Sequence, residues 1–231
     1  KLTNDSDMAL HSWSGAGISM TRTTCSDLDN SNLASGAGWG KGRVFTGNGT
    51  WGSNRNTYLG NNVTYDLTPR PAADVDQNSG EQFLWEGNLG QWAGYASSST
   101  NTTTNVPGYS ITAQNKLYAV IVKGKGIGQS RRVVANNGGI ITLNEPWNVT
   151  PDASSYVVIG HFIDRIAVYN NYLDGKPRAV SSPEHIAAAG IEPFGGAMNF
   201  IAANNTLHEL RQGVANWSTQ HSTGLDPNFF S

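Results

Sequence analysis

Cysteine is almost absent from this 231-residue chain: Cys25 stands alone, so no disulfide can close within it. Charge is scarce as well, with 15 Lys and Arg against 17 Asp and Glu, a formal net charge of −2. That balance offers no basic excess to neutralise a phosphate backbone, and it argues against a nucleic-acid partner. No apolar run approaches the roughly 18–20 residues that a membrane-spanning helix requires, so no span is expected. The chain begins at Lys1 without a recognisable signal peptide and is expected to be mature or trimmed. The Leu, Ala, Glu and Lys that fill helical bundles are too few for that class.

What the chain does hold is 27 glycines, 9 prolines, 7 tryptophans and long stretches of Asn, Ser and Thr. These suit short strands joined by many turns, and the expected fold class is all-β. An uncharged polar surface rich in Trp suggests an extracellular protein, or one on a cell or virion surface. Asn-x-Ser/Thr sequons occur at Asn4, Asn48, Asn62, Asn101, Asn148, Asn204 and Asn216, but a chain this rich in Asn, Ser and Thr produces several by chance.

Along the chain, Arg43–Thr46 reads as a short strand after a run of alternating glycine, and Pro69 with Pro71 marks a linker or a tight corner. Glu81–Glu86 (EQFLWE) reads as a buried strand around Trp85, whereas Ala96–Asn105 is too polar to bury and is expected at the surface. Four β-rich runs follow at Leu117–Lys123, Gln129–Ala135, Gly139–Asn144 and Ser155–Gly160, separated by glycine-rich and Pro-containing turns. In the last third, Arg165–Asn171 (RIAVYNN) aligns with Asn199–Asn205 (NFIAANN) at an offset of 34, each an apolar strand ending in an Asn pair. A helical reading is open at Pro183–Ala189 and at Thr206–Val214, where Leu207, Leu210 and Val214 share a helical face, although Gly213 and the repeat context weigh against the second.

These Asn steps, short aliphatic strands and turns resemble a right-handed parallel β-helix of the broad pectate-lyase-like class. The stretch Gly124–Ile159 (GKGIGQSRRVVANNGGIITLNEPWNVTPDASSYVVI) also resembles a β-module of phage tail and bacterial β-helix proteins. The resemblance implies an irregular β-rich part of the helix over 1–115, a β-module or small antiparallel insertion over 116–160, and further coils over 161–231. It implies stacked aliphatics, coil-end Asn side chains bonding along the stack, and further coils or other chains beyond the C-terminal end. The Asn-Thr-Asp, paired-Asp and Gly-His-Gly steps of polygalacturonase-like hydrolases are missing, as is the Arg-x-Pro-x-x-Arg step of pectate lyases, so no catalytic residue carries over.

Candidate sites come from the residues themselves. Asp74, Asp76, Asn78 and Glu81 place oxygen donors at alternate positions, as a Ca²⁺ loop does, and make calcium the one cofactor to consider. The match departs from an EF-hand at Ser79 and Trp85, and a polar turn is the plainer reading. Asp164, Asp174, Glu184 and His185 are the candidate acid/base groups, since a carboxylate pair can protonate a glycosidic oxygen or remove a proton beside a uronate. Lys176, Arg178, His208 and Arg211 are candidates for holding substrate. Trp39, Trp51 and Trp92, in glycine-rich polar surroundings, are candidates for stacking on sugar rings. The alternatives are a solvated loop for the charged residues and burial for the tryptophans.

Two functions follow as expectations, both with a polysaccharide partner. One is a polysaccharide hydrolase or lyase using carboxylate chemistry. The other is a non-catalytic glycan-binding or structural β-helix of a phage tail fibre, adhesin or extracellular filament.

Overall fold

The structure, a computed structural model, describes residues 2–3, 8–13, 17–26, 43–48, 55–65, 82–86, 90–110, 117–175, 187–194 and 196–215. Among these residues the chain is all-β, with 21 strands and no helix. It divides into two compact units: the described residues within Lys1–Gly87 and Ile163–Trp217, and those of Asn88–Phe162.

The first unit consists of three parallel sheets. Sheet 1 holds β1 (Leu2–Thr3), β4 (Thr24–Ser26), β7 (Val63–Tyr65), β17 (Tyr172–Asp174) and β20 (Thr206–His208), in that order. Sheet 2 holds β2 (Met8–Trp13), β5 (Arg43–Asn48), β8 (Phe83–Glu86), β18 (Ala187–Phe194) and β21 (Leu210–Val214). Sheet 3 holds β3 (Ser19–Thr21), β6 (Arg55–Gly60), β16 (Ile163–Tyr169) and β19 (Ala197–Ala203). The chain visits sheets 1, 2 and 3 in strict rotation. On each circuit it lays a new strand parallel to that of the circuit before.

Register fixes how the circuits align. Tyr58 lies beside Ser19, Ala167 beside Tyr58 and Ile201 beside Ala167, offsets of 39, 109 and 34. The 34-residue repeat read from the sequence is thus the pairing register of β16 with β19. The offset of 109 is the same 34 plus the 75 residues of 88–162, which interrupt one circuit.

The sequence makes the corners between sheets 3 and 1 in a uniform way. Arg22, Asn61, Asn170 and Asn204 occupy equivalent places and all have φ between 52° and 57°. Asn adopts this left-handed conformation at lower cost than most residues, which is why three of the four are Asn. The following residue points inward. Asn62, Asn171 and Asn205 each accept, at 3.0 Å, the backbone N–H of the equivalent residue one circuit earlier: Thr23, Asn62 and Asn171. Their amide nitrogens donate back to the carbonyls of Met20, Leu59 and Val168 at 2.9–3.0 Å. Backbone groups that the corner would orphan are satisfied by a column of side chains.

Between these corners the alternation of strands sends every second side chain inward. Met20, Leu59 and Val168 stack in one row, and Cys25 and Leu173 in another, with Phe45, Phe83, Trp85, Ile163, Ile166 and Ile191 completing the buried core. Trp85 is fully buried, as its sequence surroundings imply, with its ring centroid 5.1 Å from Phe45 and 5.3 Å from Phe200.

Thr206–Val214, where the repeat context weighed against a helix, is two strands, β20 and β21, separated by Glu209 at φ 48°. Leu207 and Leu210 pack on the same core from two different sheets, so their three-residue spacing spans a corner and not a helical turn. Likewise Ala187–Ala189 lie in β18, not in a helix, and residues 183–186 fall outside the described residues.

The second unit is an antiparallel sheet in the order β10 (Ser98–Ser99), β11 (Thr103–Asn105), β14 (Ile140–Leu143), β13 (Ser130–Asn137), β12 (Tyr118–Lys123), β15 (Tyr156–Gly160), β9 (Gly90–Tyr95). The boundary that the sequence suggested at 115/116 falls inside this unit, because β9 pairs with β15, β11 with β14, and β10 with β11. The expected Asn-Asn-Gly-Gly turn joins β13 to β14 through Gly138 (φ 58°) and Gly139 (φ 89°), a pair of left-handed residues that fits a two-residue hairpin. Its core is built from Leu117, Ala119, Ile121, Val133, Ile141, Val157 and Ile159 around Trp147. The Trp147 indole donates to the Thr104 hydroxyl at 3.0 Å. Although Ala96–Asn105 is polar overall, Ala96 and Thr104 are buried.

Candidate functional site

Outward positions of sheet 1 collect the most chemistry. Tyr65, Asp174 and His208 are lateral neighbours on β7, β17 and β20, and Tyr172, two residues before Asp174, shares their face. The carboxylate of Asp174 lies 3.4 Å from Nδ1 of His208. The Tyr172 ring stacks on the His208 imidazole at 6.4 Å between centroids, with 20° between planes. On the other side Tyr65 meets Tyr172 at 5.9 Å, tilted by 53°. The result is a strip of three rings with one carboxylate beside it.

The strip is held from within. Gln82, buried at the entry to β8, takes a hydrogen bond from the Thr64 hydroxyl and donates through its amide to the Asp174 backbone carbonyl at 2.6 Å. Backbone bonds from Gly175 N–H to the His208 carbonyl and from Thr206 N–H to the Asn171 carbonyl, at 3.0 and 2.8 Å, clamp β17 to β20. Loss of solvent raises the pKa of Tyr172 above its ordinary 10, and the Asp174 charge and Tyr65 add to it. Tyr172 is therefore a neutral hydroxyl at physiological pH. With Asp174 and the half-exposed His208, it gathers hydrogen-bond donors and acceptors on one face.

The other candidates fall elsewhere. Asp164 is 1% exposed on sheet 3, bonded to the Asn199 amide at 2.9 Å and paired with Arg165 Nη1 at 2.9 Å. Its lateral neighbours are Arg55 and Met198, whereas those of Asp174 are Tyr65 and His208. Arg211 is exposed on β21, in sheet 2. Trp92 belongs to the antiparallel unit, where it packs partly buried on the core with its edge toward Tyr109 at 6.3 Å. Trp39, Trp51, Lys176, Arg178, Glu184 and His185 lie outside the described residues, as do Asp74, Asp76, Asn78 and Glu81 of the calcium candidate. Among the described residues, no three or more His, Cys, Asp or Glu side chains group as a metal site would need.

Sequence reading named Asp174 and His208 but missed Tyr65 and Tyr172. The signal was present: the 34-residue offset, carried three residues past the Asn pair, lands Asp174 on His208. Tyr65 was hidden because its circuit is separated from the next by the 75-residue interruption.

No protein-family model, curated protein or solved structure matches this chain. Among the described residues no helix is long and apolar enough to cross a membrane.

Proposed function

We propose that the chain is a non-catalytic glycan-binding or structural parallel β-helix, carrying an antiparallel β-module, that works outside the cell or on a cell or virion surface. The observation that carries this reading is the strip of Tyr65, Tyr172 and His208 over Asp174. Stacked parallel strands space such side chains about 4.8 Å apart along the sheet, so a row of rings can follow a sugar chain. Aromatic faces take the C–H faces of pyranose rings, and the polar tips beside them bond the hydroxyls. The strict rotation through three parallel sheets and the Asn column support the solenoid architecture. Its right-handed, pectate-lyase-like assignment rests on resemblance alone, and fold by itself does not imply activity.

The Asp174–His208 pair keeps an enzymatic reading in play, that of a polysaccharide hydrolase or lyase with this pair handling the proton. A carboxylate-pair mechanism asks for a second acid roughly 5–10 Å away. Asp164 does not supply one as Asp174's lateral neighbour.

The test is a panel of polysaccharides assayed for binding, for new reducing ends and for the absorbance of unsaturated uronates. Binding without product, weakened about tenfold or more by Tyr172→Ala at unchanged melting temperature, is the expected result. Binding to nothing in the panel, or binding indifferent to Tyr172→Ala, sinks the glycan-binding reading and leaves the structural one; a released product moves the chain to the enzymatic reading.

A further inference from the structure

The antiparallel unit carries its own aromatic row. Tyr95 on β9, Tyr156 on β15 and Lys123 on β12 are lateral neighbours across three strands. The two tyrosines lie on the face opposite Val157 and Ile159, which fill the core, and a bulge in β12 between Ile121 and Lys123 turns Lys123 to the tyrosine side. The two rings meet edge to face, with centroids 4.9 Å apart and planes at 89°. Lys123 Nζ donates to the Tyr95 hydroxyl at 3.3 Å and stands 5.9 Å from the centre of its ring. Tyr95 is nevertheless 49% exposed.

The strands that carry this row bear charge of one sign, while the acids Glu145, paired with Arg131 at 3.8 Å, and Asp152 lie on turns. Strands β9, β12, β13 and β15 contain no Asp or Glu, while they contribute Lys123, Arg131 and Arg132. Arg131 is occupied, bonding the Pro146 carbonyl and Asn148 and lying over the Trp147 ring. The carboxylate on the neighbouring turn, Asp152, is taken up by Ser154 and by Lys125 at 3.7 Å. Lys123 therefore keeps its charge facing outward next to a half-open phenol ring.

We infer that Tyr95, Tyr156 and Lys123 form a second saccharide-binding site, selective for a sugar bearing an acidic group. The pyranose C–H face stacks on Tyr95, the perpendicular Tyr156 walls one side, and the ammonium of Lys123 meets the carboxylate or sulfate. This rests on the glycan-binding reading for the kind of ligand, and adds to it that the sugar is anionic. Because the charge pair is exposed, its contribution is screened by salt.

The experiment is calorimetric titration of the full chain with two sets of probes. One is galacturonate, glucuronate and mannuronate oligosaccharides, each beside its methyl ester. The other is sulfated galactan oligosaccharides beside the desulfated forms. At least one acidic probe is expected to bind about tenfold or more tightly than its neutral counterpart, and to weaken as salt rises from 20 to 200 mM (probe conditions chosen to span about threefold in Debye length). Lys123→Gln should erase the preference for the acid, and Tyr95→Ala should weaken both forms. The arm that binds tells a uronate from a sulfate. Equal affinity for acidic and neutral forms, or an acid preference that survives Lys123→Gln, overturns the site. Tyr172→Ala run in parallel separates the two proposals. Loss with Tyr172→Ala but not with Tyr95→Ala removes this site and leaves the first standing, and silence from every probe removes this one.

Discussion

Asn62 and Asn171 bond to each other across adjacent circuits although 109 residues separate them: one Asn171 oxygen accepts both the backbone N–H and the side-chain amide of Asn62, at 3.0 and 2.9 Å. Asn171 repeats this toward Asn205 at 3.0 and 2.8 Å. Each side chain thus stands in for a backbone partner that the corner cannot offer.

Asn171 is the member with neighbours on both sides, so its loss should cost most. Asn171→Ala leaves the Asn62 N–H and the Leu59 carbonyl without these partners. At about 1–3 kcal/mol for each of the two buried groups left unsatisfied, a loss of about 2–6 kcal/mol is expected. Urea unfolding followed by circular dichroism measures it. A cost below about 0.5 kcal/mol would mean that the column is ornamental.

Arg22 occupies the left-handed corner place that Asn61, Asn170 and Asn204 fill in later circuits. Since Asn tolerates that conformation better than Arg, Arg22→Asn should raise stability by about 0.5–1 kcal/mol. A thermal midpoint that falls instead would show that the Arg side chain supplies something the corner needs.

Tyr109 is 2% exposed and its hydroxyl has no hydrogen-bond partner among the described residues. Burial pushes its phenol up to about 12, from an ordinary 10. Between these values the folded state holds the proton that the unfolded chain releases, so stability should fall as pH rises from 10 towards 12. Tyr109→Phe should flatten that fall and, by removing an unpartnered hydroxyl, gain about 1 kcal/mol at pH 7. Denaturant titrations of both proteins at pH 7, 10 and 11 provide the comparison.

The sequons divide by exposure. Asn62 is 1% exposed with its amide committed to Met20 and Asn171, whereas Asn101 and Asn148 are exposed. After expression in a glycosylating host, peptide mass mapping of the folded protein should find Asn62 bare, with any glycan at the exposed positions. A glycan on Asn62 would be incompatible with the column.

Much of this architecture is legible from local pattern. The burial of Trp85, the four runs between Leu117 and Gly160, and the Asn pairs at 170–171 and 204–205 all follow from residue types and period-two alternation. The chain misleads where a corner imitates another structure. Leu207 and Leu210 are spaced as on a helix only because Glu209 turns the chain from one sheet to the next.

Sequence alone determined that the chain is β-rich, where several strands run and at what offset two of them repeat, because these depend on neighbours a few residues away. Only the tertiary structure decided that Tyr65 stands beside Asp174, that Asp164 is sealed against Arg165 and Asn199, and that Gly90–Tyr95 joins the antiparallel sheet. In stacked parallel strands lateral neighbours are a full circuit apart. The offset between paired strands here runs from 23 to 39 residues, or 108 to 109 when interrupted, and no local preference of the chain measures that distance.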